Sequence, residues 1–311
     1  MHRLLHFIGA LGVLTAIAAS GATAGPKSFA YVLQADAFAK SKAAAVGRLA
    51  ASGRDWIVLD AVFSSGETWT RADLDAIRRP SPERKVIAYI SIGEAEDYRP
   101  YWRMEWGTKK KLTAAAPAWL GAENPAWKGN YRVKYWHAGW QHLILASVED
   151  AMSRGFDGVY LDIVDGFEAF EQEGGKFLDN RVNPETGQSY RRDMVDWVRA
   201  VATRARAKSA GALVIPQNGS QLLAHADFLQ AISAIGIEDL FTEDNQLQPK
   251  SHTSEVLGHL KAVQTARKPV LVIEYPKSDA RKDAVRRQAG DNGFAWLITD
   301  RPLKTLGESA R

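Results

Sequence analysis

The sequence predicts an α/β fold, and within that class a single (β/α)8 TIM barrel. Eight short apolar runs recur along the 311 residues, and most are separated by segments with helical spacing. The runs are continuous rather than alternating, as expected for parallel strands covered by helices on both faces. A doubly wound open sheet is the alternative, which the lack of a glycine-rich phosphate-binding loop after the first run disfavours. The runs cover residues 29–34, 56–63, 86–94, 158–165, 212–219, 234–239, 269–276 and 294–300.

The N-terminus precedes the first run and has the pattern of a secretory signal peptide. A basic start with Arg3 leads into an apolar stretch over 4–19, and Ala22-Thr23-Ala24 forms a small-x-small cleavage signal. An uncleaved membrane anchor is the alternative, but this stretch is shorter than the roughly 20 residues that span a bilayer. We therefore expect residues 1–24 to be removed, leaving 25–311 as one periplasmic or secreted domain with no membrane span.

Several segments between the runs carry helix signals. Thr70 and Asp73 form a capping pair at the head of residues 70–79, where Leu74 and Ile77 supply the apolar side. Residues 191–211 follow with one apolar stripe and Gly211 at the end. The stripe consists of Met194, Val198, Val201 and Ala205. Two further segments, 251–268 and 278–293, are predicted to be the helices of the last two crossovers.

Two insertions interrupt this rhythm. Residues 95–140, after the third strand, hold six of the ten tryptophans, and residues 166–190 form a polar loop after the fourth. In a barrel the loops after the strands build the active-site face. The tryptophans either stack on sugar rings or tie down the insertion, in which residues 131–136 could form an extra strand. The six are Trp102, Trp106, Trp119, Trp127, Trp136 and Trp140.

Composition excludes several kinds of chemistry. The chain has no cysteine, so it has no disulfide, thiolate nucleophile or cysteine metal site. The net charge of +4 and the lack of a basic stripe, apart from Lys109 to Lys111, argue against nucleic acid. We see no HExxH motif and no Ser/His/Asp set, and His137 and His142 suit packing or a polar rim. We expect no cofactor, no metal and a monomer.

Acidic residues end six of the predicted strands. One such residue is most often a helix cap or an arginine partner, but a converging set suits two-carboxylate chemistry, in which neighbouring carboxyl groups are driven apart in pKa. Few Arg or Lys residues stand at these ends, which favours a polycationic substrate. The residues are Asp60, Glu94, Glu96, Asp162, Asp165, Glu238, Asp239, Glu274 and Asp300.

Five stretches, 86–102, 123–136, 155–170, 214–223 and 235–241, resemble glycoside hydrolase family 114. These are the endo-α-1,4-polygalactosaminidases, of which some members were once mislabelled as cysteinyl-tRNA synthetase related. The resemblance implies a (β/α)8 barrel that cleaves galactosamine or N-acetylgalactosamine polysaccharide.

The resemblance also implies site residues. Carried onto this chain, the catalytic carboxylates are Asp162 as nucleophile and Glu238 as general acid/base. A non-catalytic exported carbohydrate-binding barrel is the alternative, and a metal- or serine-dependent hydrolase is a third. The residues expected to shape the sugar pocket are Gln34, Asp60, Tyr89, Glu94, Tyr160, Asp165, Asn218 and Glu274.

Overall fold

The structure is a computed structural model that describes residues 25–64, 66–108 and 111–310. The expected signal peptide, residues 1–24, and two lysines of the basic triplet lie outside the described residues. None of the helices in the described part is long and apolar enough to cross a membrane.

Eight parallel strands form the centre of the fold, one at each predicted run. The first five pair in sequence order in one sheet, and the last three pair in a second. A parallel bridge between Gln217 and Gly236 joins the two sheets. The α/β class with a parallel central sheet is therefore confirmed. The strands are β1 Phe29–Val32, β2 Trp56–Asp60, β3 Lys85–Ser91, β4 Gly158–Asp162, β5 Leu213–Pro216, β6 Ile235–Glu238, β7 Val270–Glu274 and β8 Ala295–Ile298.

Helices occupy the crossovers. At the head of helix α3 (Arg71–Arg78), Thr70 and Asp73 form the predicted capping box, and Leu74 and Ile77 are buried. The predicted apolar stripe of helix α5 (Tyr190–Lys208) is also buried, although this helix ends before Gly211. The helices are α1 Ala35–Phe38, α2 Lys42–Ala50, α3 Arg71–Arg78, α4 Ala138–Arg154, α5 Tyr190–Lys208, α6 Ala226–Ala231, α7 Lys250–Thr265 and α8 Asp279–Asp291.

Both faces of the central strands are covered, which explains their continuous apolar runs. Side chains on one face pack with the helices in a large cluster. Side chains on the other face, including Tyr31, Tyr160 and Ile215, pack with one another in a second cluster. Because neighbouring residues point to opposite faces, Asp162 lies on the same face as Tyr160, two residues before it.

The insertion after β3 contains a three-stranded antiparallel sheet of Glu94–Glu96, Leu120–Glu123 and Asn130–Val133. The last of these strands overlaps the first three residues of the predicted extra strand, 131–136. Five of the six tryptophans are buried or half-buried, and ring contacts link them to aromatic neighbours. Only Trp127 is strongly exposed, at 55%. For the other five, tying down the insertion is the reading that fits.

Candidate active site

Asp162 and Glu238 meet at the carboxyl ends of β4 and β6. The strand between them, β5, is followed by Gln217, whose amide nitrogen Nε2 donates to both carboxylates. The nitrogen lies 3.2 Å from Asp162 Oδ1 and 2.8 Å from Glu238 Oε2, so these oxygens are within about 6 Å of each other. Parallel strands thus bring together two acids that are 76 positions apart in the sequence.

Asp162 is held by three neutral donors. The Tyr89 hydroxyl donates to Oδ2 at 2.6 Å, and the backbone N–H of Ile163 donates to Oδ1 at 2.8 Å, beside the bond from Gln217. Burial raises the pKa of Asp162 above its usual value, and these hydrogen bonds oppose that rise because they favour the charged form. Asp162 is therefore the better placed of the two acids to stay ionised.

Glu238 is the acid that retains its proton. Its Oε1 accepts from the Tyr275 hydroxyl and its Oε2 from Gln217. Burial, reinforced by the charge of Asp162, raises the pKa of Glu238 to about 8. At neutral pH this value favours a protonated Glu238, next to Asp162, whose hydrogen bonds favour its charged form; glycosidic bond cleavage requires such a difference between the two carboxyl groups.

The backbone turns sharply just after each of these three strands. Ile163, Asn218 and Asp239 have left-handed φ values of 56°, 58° and 52°. A β-branched residue such as Ile163 adopts this conformation rarely, and such strain clusters at functional sites. The turn also needs Gly93, since a Cβ there would lie 2.2 Å from the carbonyl oxygen of Ile163. In the turn after β5, Asn218 Oδ1 accepts the backbone N–H of Glu238 at 3.0 Å.

Tyr160 forms the floor beneath the pair. Its side chain is fully buried and crosses to β6, where a Cβ on Gly236 would lie 1.8 Å from its hydroxyl oxygen. Gly236 therefore leaves the space that the ring of Tyr160 occupies. The pKa of the Tyr160 hydroxyl is raised by burial and then by the charges of Glu238 and Asp162, which indicates that both carboxylates lie close above it.

A cavity of about 790 Å³ opens above this floor. Trp127 and Tyr98, from the insertion after β3, are exposed at 55% and 60% and line its wall. The predicted site residues that line the cavity are Gln34, Asp60, Tyr89, Asp162 and Glu238.

Two other predicted site residues, Glu94 and Glu274, are buried behind the cavity wall. Glu94 accepts from Asn124 Nδ2 at 2.7 Å and from the side chain of Asn130, which lines the cavity. Glu274 accepts backbone N–H groups of the loop after β6, at 2.7 and 3.0 Å. Burial raises the pKa of both, that of Glu274 to about 7. Both residues shape the walls indirectly, by fixing loops.

Asp165 and Asn218, also predicted, connect the loops after β4 and β5. The Asn218 side chain hydrogen-bonds to Asp165 and also accepts from the backbone of Glu238. Burial and the nearby charge of Asp162 raise the pKa of Asp165 to about 7. These two side chains therefore link the segments that carry the two central carboxylates.

Arginines reach the rim, contrary to the expectation of few matching cations. Arg99 bonds Asp60 at 2.7 Å and Glu96 at 2.5 Å. Arg301 makes a two-pronged contact with Asp239, at 2.7 and 3.1 Å, and covers the ring of a cavity tyrosine. That expectation is wrong for these three acids: Arg99 stands three residues after Glu96, whereas Asp60 and Asp239 receive their arginines from loops distant in sequence. Within the described residues, no Lys or Arg forms an ion pair with Asp162 or Glu238.

Sequence reasoning missed the residue that links the pair. Gln217 stands beside the predicted Asn218, and strand alternation offered a signal: Gln217 shares the inward face with Ile215, whereas Asn218 does not. Tyr275 likewise adjoins the predicted Glu274. The spacing of three residues between Glu96 and Arg99 was a local signal for that ion pair, whereas nothing in the local sequence indicated the pairing of Arg99 with Asp60 or of Arg301 with Asp239.

Comparison with known proteins agrees with this architecture. A family model described as Glycoside-hydrolase family GH114 matches residues 16–311. An uncharacterised protein of Deinococcus radiodurans is 32% identical over 251 residues, 80% of this chain and 74% of that protein.

Two solved structures share the fold. The glycoside hydrolase domain of PelA from Pseudomonas aeruginosa aligns with a TM-score of 0.65 at 20% identity, over 92% of this chain and 99% of that domain. Aspergillus fumigatus Ega3, solved in complex with galactosamine, aligns with a TM-score of 0.65 at 18% identity, over 91% and 94%. With the family match spanning nearly all of its length, the chain belongs to glycoside-hydrolase family GH114.

Proposed function

We propose that this protein is an exported hydrolase of α-1,4-linked galactosamine or N-acetylgalactosamine polysaccharide, with Asp162 as nucleophile and Glu238 as general acid/base. The observation that carries the proposal is the pair itself, bridged by one amide, with the pKa of Glu238 raised to about 8. In this proposal residues 25–311 form one (β/α)8 barrel with the tryptophan-rich insertion after its third strand. Export rests on the signal-like pattern of residues 1–24.

The reaction that fits this pair is a double displacement. Asp162 attacks the anomeric carbon while Glu238 gives its proton to the glycosidic oxygen, so the leaving chain departs with a hydroxyl group. Water then attacks the glycosyl-enzyme bond, Glu238 accepts a proton from that water, and Asp162 is released. Retaining enzymes hold their carboxyl groups about 5 to 5.5 Å apart and inverting ones roughly 6.5 to 9.5 Å apart. The shared Gln217 nitrogen favours the shorter spacing.

The charge of the site supports a substrate with free ammonium groups. The hydrogen bonds that Asp162 and Glu238 accept in the described part of the chain come from neutral donors. The acids that line the cavity outnumber its bases: they are Asp36, Asp60, Glu96, Asp162 and Glu238, against Arg99, Lys128 and Arg301. The neighbour Ega3 was solved with galactosamine, an amino sugar. Attraction of such groups falls with salt, because the Debye length shrinks from about 10 Å at 0.1 M to about 3 Å at 1 M. Equal, salt-independent cleavage of acetylated and deacetylated polymer would contradict this preference.

The other proposed pocket residues have distinct parts. Gln34, Asp60 and Tyr89 line the cavity and would contact sugar. The remaining five, Glu94, Tyr160, Asp165, Asn218 and Glu274, shape the pocket from behind its wall.

Mass spectrometry of products tests the proposal. Wild-type protein and the Asp162→Asn variant are incubated with α-1,4-linked galactosaminan, acetylated and deacetylated. Oligosaccharides from the wild type alone support the proposed hydrolase. If folded wild-type protein binds the polymer and leaves it intact, the proposal is wrong and a non-catalytic binding barrel takes its place.

A further inference from the structure

Gln217 makes an unusual pair of contacts. The residue is 3% exposed, and both hydrogens of its amide nitrogen are used, one toward Asp162 Oδ1 and one toward Glu238 Oε2. Its carbonyl oxygen Oε1 is buried and has no hydrogen-bond partner within the described part of the chain. The hydrogen bonds of this amide are thus made by its NH₂ group, which faces the two carboxylates.

These contacts decide where the proton of Glu238 resides. An amide N–H that donates to Oε2 leaves no acceptor there for a carboxylic proton, because the amide nitrogen cannot accept. The other oxygen, Oε1, contacts the Tyr275 hydroxyl. A hydroxyl can accept as well as donate, so Oε1 can carry the proton and give it to Tyr275 Oη as a hydrogen bond.

We propose that Gln217 is a positioning residue that couples the two carboxylates, holding both by one amide group and confining the proton of Glu238 to Oε1. The inference rests on the proposed function for the roles of Asp162 and Glu238. The coupling itself acts on the protein without substrate, which makes it testable on its own.

Each carboxylate also has one tyrosine donor of its own. Tyr89 donates to Asp162 Oδ2 at 2.6 Å, and Tyr275 donates to Glu238 Oε1 when that carboxyl is ionised, whereas Tyr275 accepts the proton of Oε1 when Glu238 is protonated. Removing a donor from a carboxylate destabilises its charged form and raises its pKa. Gln217 is therefore a donor that both carboxylates share, whereas Tyr89 and Tyr275 each contact one carboxylate.

Other titratable groups surround the pair and stay unchanged when these donors are removed. These residues are present in the wild type and in every variant, so the pKa changes between variants are compared against the same surrounding groups. Those facing Asp162 are Glu94, Glu96 and Asp165; those facing Glu238 are Asp239 and Arg301; and Tyr31 and Tyr160 face both.

The test is a pH titration of ¹³C-labelled Asp and Glu carboxyl groups by NMR, with Asp162→Asn and Glu238→Gln used to assign the signals. In Gln217→Met, both midpoints should move to higher pH by about one pH unit, the effect of losing a hydrogen bond to a charged group. Tyr89→Phe should raise chiefly the Asp162 midpoint and Tyr275→Phe chiefly the Glu238 midpoint. The matched control is Gln221→Met, since Gln221 binds a single carboxylate, Glu168, at 2.7 Å; it should move neither midpoint.

A folded Gln217→Met protein in which only one midpoint moves, or neither, overturns the coupling. If that variant does not fold, Gln217→Leu replaces it: this variant removes the donor without adding a charge, so both midpoints must rise, and unchanged values refute the proposal. Wild-type protein that leaves galactosaminan uncut would refute the proposed function. The titration would still decide the coupling.

Discussion

The two ends of strand β4 carry aspartates with different kinds of hydrogen-bond partner. Asp157 precedes the strand, and its carboxylate accepts from Arg78 Nε at 2.8 Å and from the backbone N–H of Val86 at 2.7 Å. Asp162 ends the strand, and its partners are a tyrosine, an amide side chain and the next backbone N–H. Asp157 is bound to a cation and to the neighbouring strand, whereas Asp162 has no ion-pair partner among the residues that the structure describes.

Other residues at the amino and carboxyl ends of the parallel strands differ in the same way. At the amino end, the buried Arg84 donates to carbonyl oxygens of Ala50 and Ile77, at the ends of α2 and α3. At the carboxyl end, the half-buried Asp162 and Glu238 have raised pKa values beside neutral donors. The comparison indicates that a cation and a backbone group hold Asp157 in the fold, whereas the open cavity and the neutral donors around Asp162 leave its carboxylate available for chemistry.

The largest expected effect compares two glutamates at the same end of the sheet. Glu238→Gln should lower kcat on the polymer by about 10² to 10⁴-fold, the usual contribution of a general acid. Glu274→Gln should instead lower the free energy of unfolding by about 1 to 3 kcal/mol, because it disturbs buried hydrogen bonds to the loop after β6. Steady-state kinetics and denaturant unfolding measure both; a folded Glu274→Gln enzyme as inactive as Glu238→Gln would break the distinction.

The second prediction concerns the floor of the carboxyl end. Gly236→Ala places a methyl group against the Tyr160 hydroxyl, and overpacking of this kind costs about 1 to 3 kcal/mol of unfolding free energy. Because Tyr160 lies under both carboxylates, activity should fall as well. Adding Tyr160→Phe removes the nearest clashing atom and should restore part of the stability. No recovery in the double variant would contradict this account of the floor.

The third prediction concerns how the stability of the protein changes with pH. The pKa of Glu238 is raised from an ordinary 4.5 to about 8, so folding favours its protonated form. That contribution to stability is complete below pH 4.5 and is lost as pH rises through about 8. Glu238→Gln, which cannot ionise, should therefore lose less stability than the wild type between pH 6 and 9. Thermal unfolding across that range measures the effect, and parallel curves for the two proteins would contradict it.

The smallest expected effect lies at the outer wall of the cavity. Trp127→Ala should raise KM for the polymer about two- to tenfold, as expected for the loss of one aromatic contact worth about 0.5 to 1.5 kcal/mol. Its control is Met104→Ala, since Met104 is 75% exposed and does not line the cavity. Equal KM values for both variants would remove Trp127 from the substrate site.

Local sequence patterns predicted much of this structure. Continuous apolar runs predicted all eight strands, and the capping pair at Thr70 predicted the start of α3, because both signals act within a few residues. Asp162 and Glu238 were found through the family resemblance and through strand-end acidity, since parallel strands align their ends.

The rest depends on three-dimensional contacts that local sequence does not record. The role of Gln217 requires knowing which side of the strand end faces inward. Arg99 reaches Asp60 and Arg301 reaches Asp239 from loops distant in sequence, so the charge balance of the rim could not be counted along the chain. Most tryptophans of the insertion turned inward because their large rings bury apolar area there.

The measurement that tests the central claim most directly compares Asp157→Asn with Asp162→Asn, each assayed for polymer cleavage and thermal unfolding from the same preparation. The account predicts that Asp157→Asn unfolds at a lower temperature and still cleaves the polymer, because it loses only the charge of a structural ion pair. Asp162→Asn should stay as stable as the wild type, or become more stable, and release no products. A stable but inactive Asp157→Asn, or an active Asp162→Asn, would contradict the division of roles between the two ends of β4.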